Sequence, residues 1–519
     1  MERKWWTLTT VCIGVFMLLL DITIVNVALP DIERALHASL SDLQWTLDAY
    51  ALTLAALLLT AGSLADQYGR RKLFAIGTAI FTVGSLLCGL ATSAGFLIAA
   101  RAGQGVGGAI MFATALALLA DAFRGKDRGI AFGAFGAVAG VAVAVGPVLG
   151  GVLTSGISWR WIFFVNVPVG VVALAITLAR VAESKEARAS RPDWAGFVVF
   201  TAALGLLVYG LIRTNTVGWS SGEVIGCLVA AGVLLVSFVG VEMLVAHPMF
   251  DLGLLRKPTF SGGLIAAFAL SAGLFAMFTY LVLYLQNALG LSAVQTGVRF
   301  LVLSGALFVA ATAAGRLSQT VPVKLLIAPG FVLIGVGLLL MRGLTPTSTW
   351  THLIPGFIVA GVGAGMVSVP LASTAVGVVA PEHAGMASGV NSTFRQVGIA
   401  TGIAALGSVF SSHIRSTVTD ALTSGPTPVP AGVAEKAGHL VASGAVPQAA
   451  ASVPPAARGT LAAAALSGVA GSLNDILLIG AVVCFVAAVL CFWLVRTRDF
   501  VDSTAQPGAE TRAPAPTAP

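Results

Sequence analysis

The chain has 519 residues, 57% of them hydrophobic and only 10% charged, with a mean hydropathy of +0.94. That balance excludes a soluble protein of this length. The net charge of +7 and pI near 9.4 point to contact with anionic lipid rather than to a nucleic-acid partner.

Apolar runs of roughly 20 residues recur along the whole length, which is what a helix needs to cross about 30 Å of hydrocarbon. Unpaired backbone groups are not tolerated in lipid, and the alternation of a barrel is absent, so the runs predict helices. The first span, 7–29, follows Arg3-Lys4 and has the outline of a signal peptide. It is long for one, contains Asp21 and meets Pro30 where a small-residue cleavage site would be needed, so it reads as a retained helix. Asp21 sits about 12 Å below the far end of that span at 1.5 Å per residue. A carboxylate there is costly unless it faces a wet cavity, meets a partner or is protonated.

Spans 45–64 and 73–93 are joined by Gly62-Ser63-Leu64-Ala65-Asp66-Gln67-Tyr68-Gly69-Arg70-Arg71-Lys72. Two glycines, one carboxylate and three successive cations mark this turn as functional. Span 96–118 carries Arg101, roughly 9 Å from its outer end, within Arg101-Ala102-Gly103-Gln104-Gly105-Val106-Gly107-Gly108. Asp21 and Arg101, opposite charges at matched depth, are expected to share one cavity. Burial would raise the carboxylate pKa and the arginine would lower it, poising the group to exchange a proton. A static structural ion pair is the alternative. The nearby glycines read as packing surfaces. Span 130–154 ends in Gly146-Pro147-Val148-Leu149-Gly150-Gly151, a bendable, thin segment suited to a hinge or outer seal.

Span 161–180 completes a first group of six. A charged linker from Glu183 to Asp193, spans 194–213 and 223–245, and a polar linker from His247 to Pro258 follow. The remaining spans are 260–285, 296–315, 325–342, 353–375, 387–410 and 474–496. Arg395 lies near the middle of its span, in Asn391-Ser392-Thr393-Phe394-Arg395-Gln396, and is expected to face the central cavity in a coupling role or as a locally hydrated packing residue. Residues 411–473, rich in Ala, Pro, Gly and Ser, read as one long, loosely ordered external loop, and 501–519 as a disordered cytoplasmic tail.

All nine tryptophans fall at or near span ends, as an interfacial belt requires. With the N-terminus inside, nineteen of the 29 Lys and Arg are cytoplasmic, so both termini are placed in the cytoplasm of a multi-pass plasma-membrane protein. The five cysteines lie inside spans as packing residues, so no disulfide framework or metal site is expected. The six histidines sit in loops or near span ends, and no nucleophile–base pairing exists within the spans. An enzyme is not expected.

These motifs resemble the major facilitator superfamily, in particular its fourteen-helix drug:proton antiporter branch, over roughly residues 7 to 410 and the last span. Leu20 to Pro30 is similar to the first-helix motif of that branch, Gly62 to Lys72 to the cytoplasmic loop motif, Arg101 to Gly108 to the fourth-helix motif and Gly146 to Gly151 to the antiporter motif. The last carries Ala142 where the family spacing expects glycine. The resemblance implies an all-α polytopic fold of fourteen helices: an N-terminal half (1–182), linkers with two extra helices (183–258) and a C-terminal half (259–500). It implies that Asp66, with Gly62, Gly69, Arg70 and Arg71, latches the cytoplasmic gate. Gly146, Pro147, Gly150 and Gly151 would form the hinge. Asp21, Arg101, Asn26, Gln104 and Arg395 are the expected proton-coupling and substrate residues. The implied activity is export of small amphipathic or lipophilic compounds by a monomer in lipid, driven by the proton gradient without cofactor. An importer or facilitator of a small nutrient is the alternative. Span ten has no acidic residue, unlike relatives that handle dicationic compounds.

Overall fold

The apolar runs become helices whose starts carry the local chemistry that a helix N-terminus requires. In the computed structural model, which describes residues 2–38, 40–123, 126–184, 193–245, 248, 250–318, 320–380 and 383–500, four such starts are capped by side chains. Ser93 accepts from the Phe96 amide, Asp193 from Gly196, Ser221 from Glu223, and Ser292 forms a reciprocal capping box with Gln295. The helices are α1 (Arg3–Leu36), α2 (Leu40–Tyr68), α3 (Arg70–Gly89), α4 (Ala94–Ala122), α5 (Lys126–Gly156), α6 (Trp161–Phe164), α7 (Asn166–Arg180), α8 (Trp194–Val217) and α9 (Gly222–Leu244). They continue with α10 (Pro258–Leu270), α11 (Ala276–Leu283), α12 (Ala293–Leu317), α13 (Lys324–Leu340), α14 (Ile354–Gly377), α15 (Ala384–Ser424), α16 (Ala431–Ala442), α17 (Val446–Ser452) and α18 (Arg458–Leu494).

Among the described residues there is no strand, and twelve helical segments are long and apolar enough to cross a membrane. The chain is a membrane protein. One segment, Pro258–Gln286, joins α10 and α11 through a π-helical turn at Ser271–Phe275. The apolar helix α13 is shorter, at 17 residues.

Two sequence expectations meet a different structure. The turn at Gly62 to Lys72 contracts to a single residue, because α2 runs to Tyr68 and α3 begins at Arg70. Gly69 makes this reversal at φ 111°, a region that side chains disfavour. The segment 411–473, expected as a loose loop, is largely helical: α15 continues to Ser424, α16 and α17 follow, and α18 starts at Arg458. Ile414, Val418 and Leu422 form a buried stripe at four-residue spacing, packed with Ala434, Ala437, Val441 and Leu461. Alanine is the strongest helix former, and one apolar stripe suffices to bury a helix. The small-residue composition had masked both signals. The tail 501–519 lies outside the described residues.

Helices α3 and α4 pack closely, as do α2 and α4, α5 and α12, and α12 and α14. The α3–α4 seam closes at Gly107, where a Cβ would stand 2.7 Å from the Gly77 carbonyl oxygen and 2.9 Å from Phe81 Cα. Backbone cannot give way as a flexible side chain can. Gly107→Val is therefore expected to cost at least about 1–3 kcal/mol, seen as a lower thermal midpoint and an aggregated fraction on size exclusion in detergent. The α8–α9 hairpin lies at the side of the bundle. Thr60 and Thr201 hydroxyls, 3.2 Å apart, join α8 to α2, while α9 leaves Val236, Met243 and Leu244 exposed.

Candidate functional site

Asp21 lies in the interior of α1 and is wholly buried, and Arg101 of α4 is 1% exposed. The two meet directly: Arg101 Nη1 donates to Asp21 Oδ2 at 2.5 Å and to Gln104 Oε1 at 2.8 Å. Gln104, one helical turn on, donates from Nε2 to Asp21 Oδ1 at 2.9 Å. Asn166, the first residue of α7, reaches the same carboxylate oxygen at 3.5 Å and donates to Ser85 Oγ of α3 at 3.1 Å. Arg101 Nε donates to the Thr46 carbonyl of α2 at 3.2 Å, and its guanidinium lies 4.2 Å from the Tyr50 ring centroid. Five helices thus converge on one ion pair. A buried pair of this kind is retained only when its remaining hydrogen-bonding positions are filled, and here polar side chains fill most of them.

Asp21 and Arg101, expected to share one cavity, are in direct contact, and Gln104, named for the same site without a stated partner, bonds to both. Asn166, Ser85 and Tyr50 were missed. Asn166 carried a legible signal as an amide inside the apolar span 161–180, whereas Ser85 and Tyr50 resemble ordinary span residues. The side chains of Asn26 and Pro147 lie outside the described residues. Gly146 abuts Thr23 of α1, two residues from Asp21, so that no side chain fits there, and Gly151 faces Val294 of α12 in the same way. Gly150 is buried.

A second charged cluster joins α15 to the junction where α2 turns into α3. Asp66 accepts from Arg70 Nε at 2.9 Å and Nη2 at 2.7 Å. Its two oxygens also accept from the Gly385 amide at 2.9 Å and the Met386 amide at 2.7 Å. These are the free N–H groups at the start of α15, where a carboxylate is stabilised by unsatisfied donors and by the helix dipole. Gly62 makes room for this approach, since a Cβ would strike the Gly385 carbonyl. Arg71 enters through its backbone: its amide and that of Lys72 donate to Glu183 at 3.1 and 3.2 Å, and the Arg70 amide donates to Ser184 O at 2.9 Å. Glu183 thereby caps α3 from a segment more than a hundred residues away. Its position in the 183–193 linker predicts no more than a solvated charge.

Arg395 of α15 is not part of the Asp21 cluster. It is half-buried, and its guanidinium lies 5.9 Å from the rings of both Phe112 (α4) and Phe275. Phe112 is eleven residues beyond Arg101 on α4, about 16 Å along the axis. Asp48 of α2 is a further half-buried carboxylate, with no ion-pair or hydrogen-bond partner among the described residues. It was passed over, although an acid three residues after Trp45 obeys the same rule that drew attention to Asp21.

Ionisable groups enclosed by a polytopic helical bundle, with a charged clasp at one end, define a membrane transporter. The chain belongs to the Major Facilitator Superfamily, whose family model matches residues 11–403. It is 36% identical over 413 residues to the multidrug resistance protein Stp of Mycobacterium tuberculosis, covering 79% of this chain and 77% of that one. It is 37% identical to the puromycin resistance protein pur8 of Streptomyces alboniger, covering 78% and 82%. It is 34% identical to the tetracenomycin C resistance and export protein of Streptomyces glaucescens, covering 79% and 77%. Among solved structures, the human organic anion transporter MFSD10 superposes with a TM-score of 0.60 over 95% of this chain and all of that one. At 13% identity it shows the shared fold alone.

Proposed function

We propose that this chain is a proton-coupled antiporter exporting small amphipathic or lipophilic compounds, such as an antibiotic, drug or secondary metabolite, across the plasma membrane. The observation that carries this reading is the buried Asp21–Arg101–Gln104 cluster, a titratable carboxylate held inside a transporter whose relatives are named for drug and antibiotic resistance and export. The proposed topology has fourteen crossings, arranged as residues 1–182 and 259–500 around an inserted pair within 183–258. Both termini are cytoplasmic, so the Asp66 clasp closes the cytoplasmic side. The working unit is a monomer in lipid, exchanging substrate for protons without a cofactor.

In this cycle the clasp holds the inner side shut while Asp21 takes a proton from outside. Protonation weakens its bond to Arg101, freeing the guanidinium and loosening the contacts among α1, α4 and α7. Rearrangement opens the inner side, where Asp21 releases its proton and substrate enters. The α5 segment Gly146–Gly151, pressed on α1 and α12, flexes with the outer side.

The test is uptake into everted membrane vesicles containing this chain, with an acid interior imposed. A fluorescent efflux substrate is expected to accumulate, and nigericin, which dissipates the pH gradient, is expected to abolish the accumulation. Accumulation indifferent to the gradient would remove proton coupling from this account. Accumulation only in right-side-out vesicles would reverse the direction of transport.

A further inference from the structure

One face of α15 carries polar groups that nothing among the described residues satisfies. Ser388, Asn391 and Arg395 lie at spacings of three and four residues, hence on one side of the helix. Ser388 is fully buried and Asn391 is 2% exposed, yet Ser388 Oγ and Asn391 Nδ2 have no hydrogen-bond partner among the described residues. Arg395 has only its two aromatic neighbours, with no ion-pair or hydrogen-bond partner among the described residues. Counting from Ala384, Arg395 is about 16 Å along α15, near the middle of a bilayer, where an uncompensated cation is expensive. At 5.9 Å the rings are at the limit of a cation–π contact, which does not replace a counter-ion.

The acids of the bundle lie elsewhere. Asp21 is bound to Arg101 and Asp66 to Arg70, while Asp48 is eighteen residues from Asp66 on α2, about 27 Å along that helix. The flanking rings come from opposite halves of the chain, Phe112 from α4 and Phe275 from the π-helical turn of Ser271–Phe275. Such turns recur at functional sites because they rotate a side chain out of helical register.

We propose that Arg395, Asn391, Phe112 and Phe275 form a subsite for the anionic group of an aromatic substrate, a carboxylate or an acidic hydroxyl. The guanidinium fork pairs with the anion and the Asn391 amide donates to it. The two rings hold the adjoining aromatic plane. The subsite spans both halves, so a change in their relative position alters its grip on the anion. This assignment rests on the export reading and narrows its substrate class.

The test uses the full chain in proteoliposomes with two xanthene dyes of similar size, anionic fluorescein and cationic rhodamine 6G. Wild-type protein is expected to transport fluorescein. Arg395→Gln should raise the half-saturating fluorescein concentration about tenfold or more, the scale of one lost ion pair, with little change for rhodamine 6G. Arg395→Lys should recover part of the loss, since the charge returns without the fork. Asn391→Ala should raise the fluorescein value about threefold, and it carries the test if Arg395→Gln does not fold to a monodisperse species. An equal loss for both dyes would overturn the subsite and make Arg395 a structural residue. Transport of rhodamine 6G alone by wild-type protein would overturn the subsite while leaving export standing. Neither dye moving above empty liposomes would overturn both.

Discussion

Asp21→Asn is expected to reduce proton-driven efflux to background while the protein still inserts in the membrane. The two residues are nearly isosteric, so Gln104 and Asn166 keep their neighbour, but the site can no longer titrate. Arg101 is left buried at 1% exposure with its counter-ion gone. Breaking a buried pair by neutralising one partner typically costs about 3–5 kcal/mol. A lower thermal midpoint is therefore expected as well, and transport assays alone would not separate coupling from stability. Substrate counterflow does so, since it exchanges labelled for unlabelled compound without net proton movement. The expected result is counterflow retained and uptake driven by the pH gradient lost. Undiminished gradient-driven uptake by Asp21→Asn would refute the coupling role. Loss of counterflow together with the folded fraction would reduce the cluster to a structural ion pair.

Asp66→Ala is expected to release the clasp between α2 and α15. It removes the bonds from Arg70 and from the Gly385 and Met386 amides together, leaving the buried guanidinium of Arg70 and two N–H groups without the carboxylate. A cost of about 3–5 kcal/mol falls on the closed state, and each 1.4 kcal/mol is a factor of about ten. The closed-to-open ratio should drop by about two to three and a half orders of magnitude. Spin labels at the exposed positions Lys72 and Ala380 should report this as a shift to longer distances, with transport falling in parallel. An unchanged distance distribution would show that other contacts hold this end shut. Arg70→Ala should act in the same direction but less strongly, because the two backbone amides remain bound to the carboxylate.

Much of this architecture was legible before any coordinates, for a reason specific to membranes. Lipid cannot satisfy backbone hydrogen bonds, so a run of about 20 apolar residues has few options besides a helix. The penalty on buried charge also makes an intramembrane Asp21 or Arg101 conspicuous. The pairing of Asp21 with Arg101 could be argued from matched depth alone. Gln104 was carried along by its place in the same motif.

Other features depend on contacts that composition does not encode. Residues 411–473 looked like filler because alanine-rich helices and small-residue loops share a composition, and only burial of the Ile414–Val418–Leu422 stripe separates them. Glu183 looked like a solvated linker charge, since its contact with the amides of Arg71 and Lys72 crosses more than a hundred residues. Nothing in the order of residues says which helix faces which, so neither the reach of Asn166 to Asp21 nor its bond to Ser85 could be read from it.

By itself, then, the sequence determined that this protein crosses the membrane many times, which charges it commits to the interior, and which turn bears a charged motif. These follow from the solvation cost of single groups, a property of each residue and its near neighbours. The tertiary structure alone decided that Arg395, unlike Arg101, has no counter-ion among the described residues, and that the helix head receiving Asp66 is that of α15. Those outcomes depend on which side chains come within about 3 Å across helices distant in the chain, and only packing brings them there.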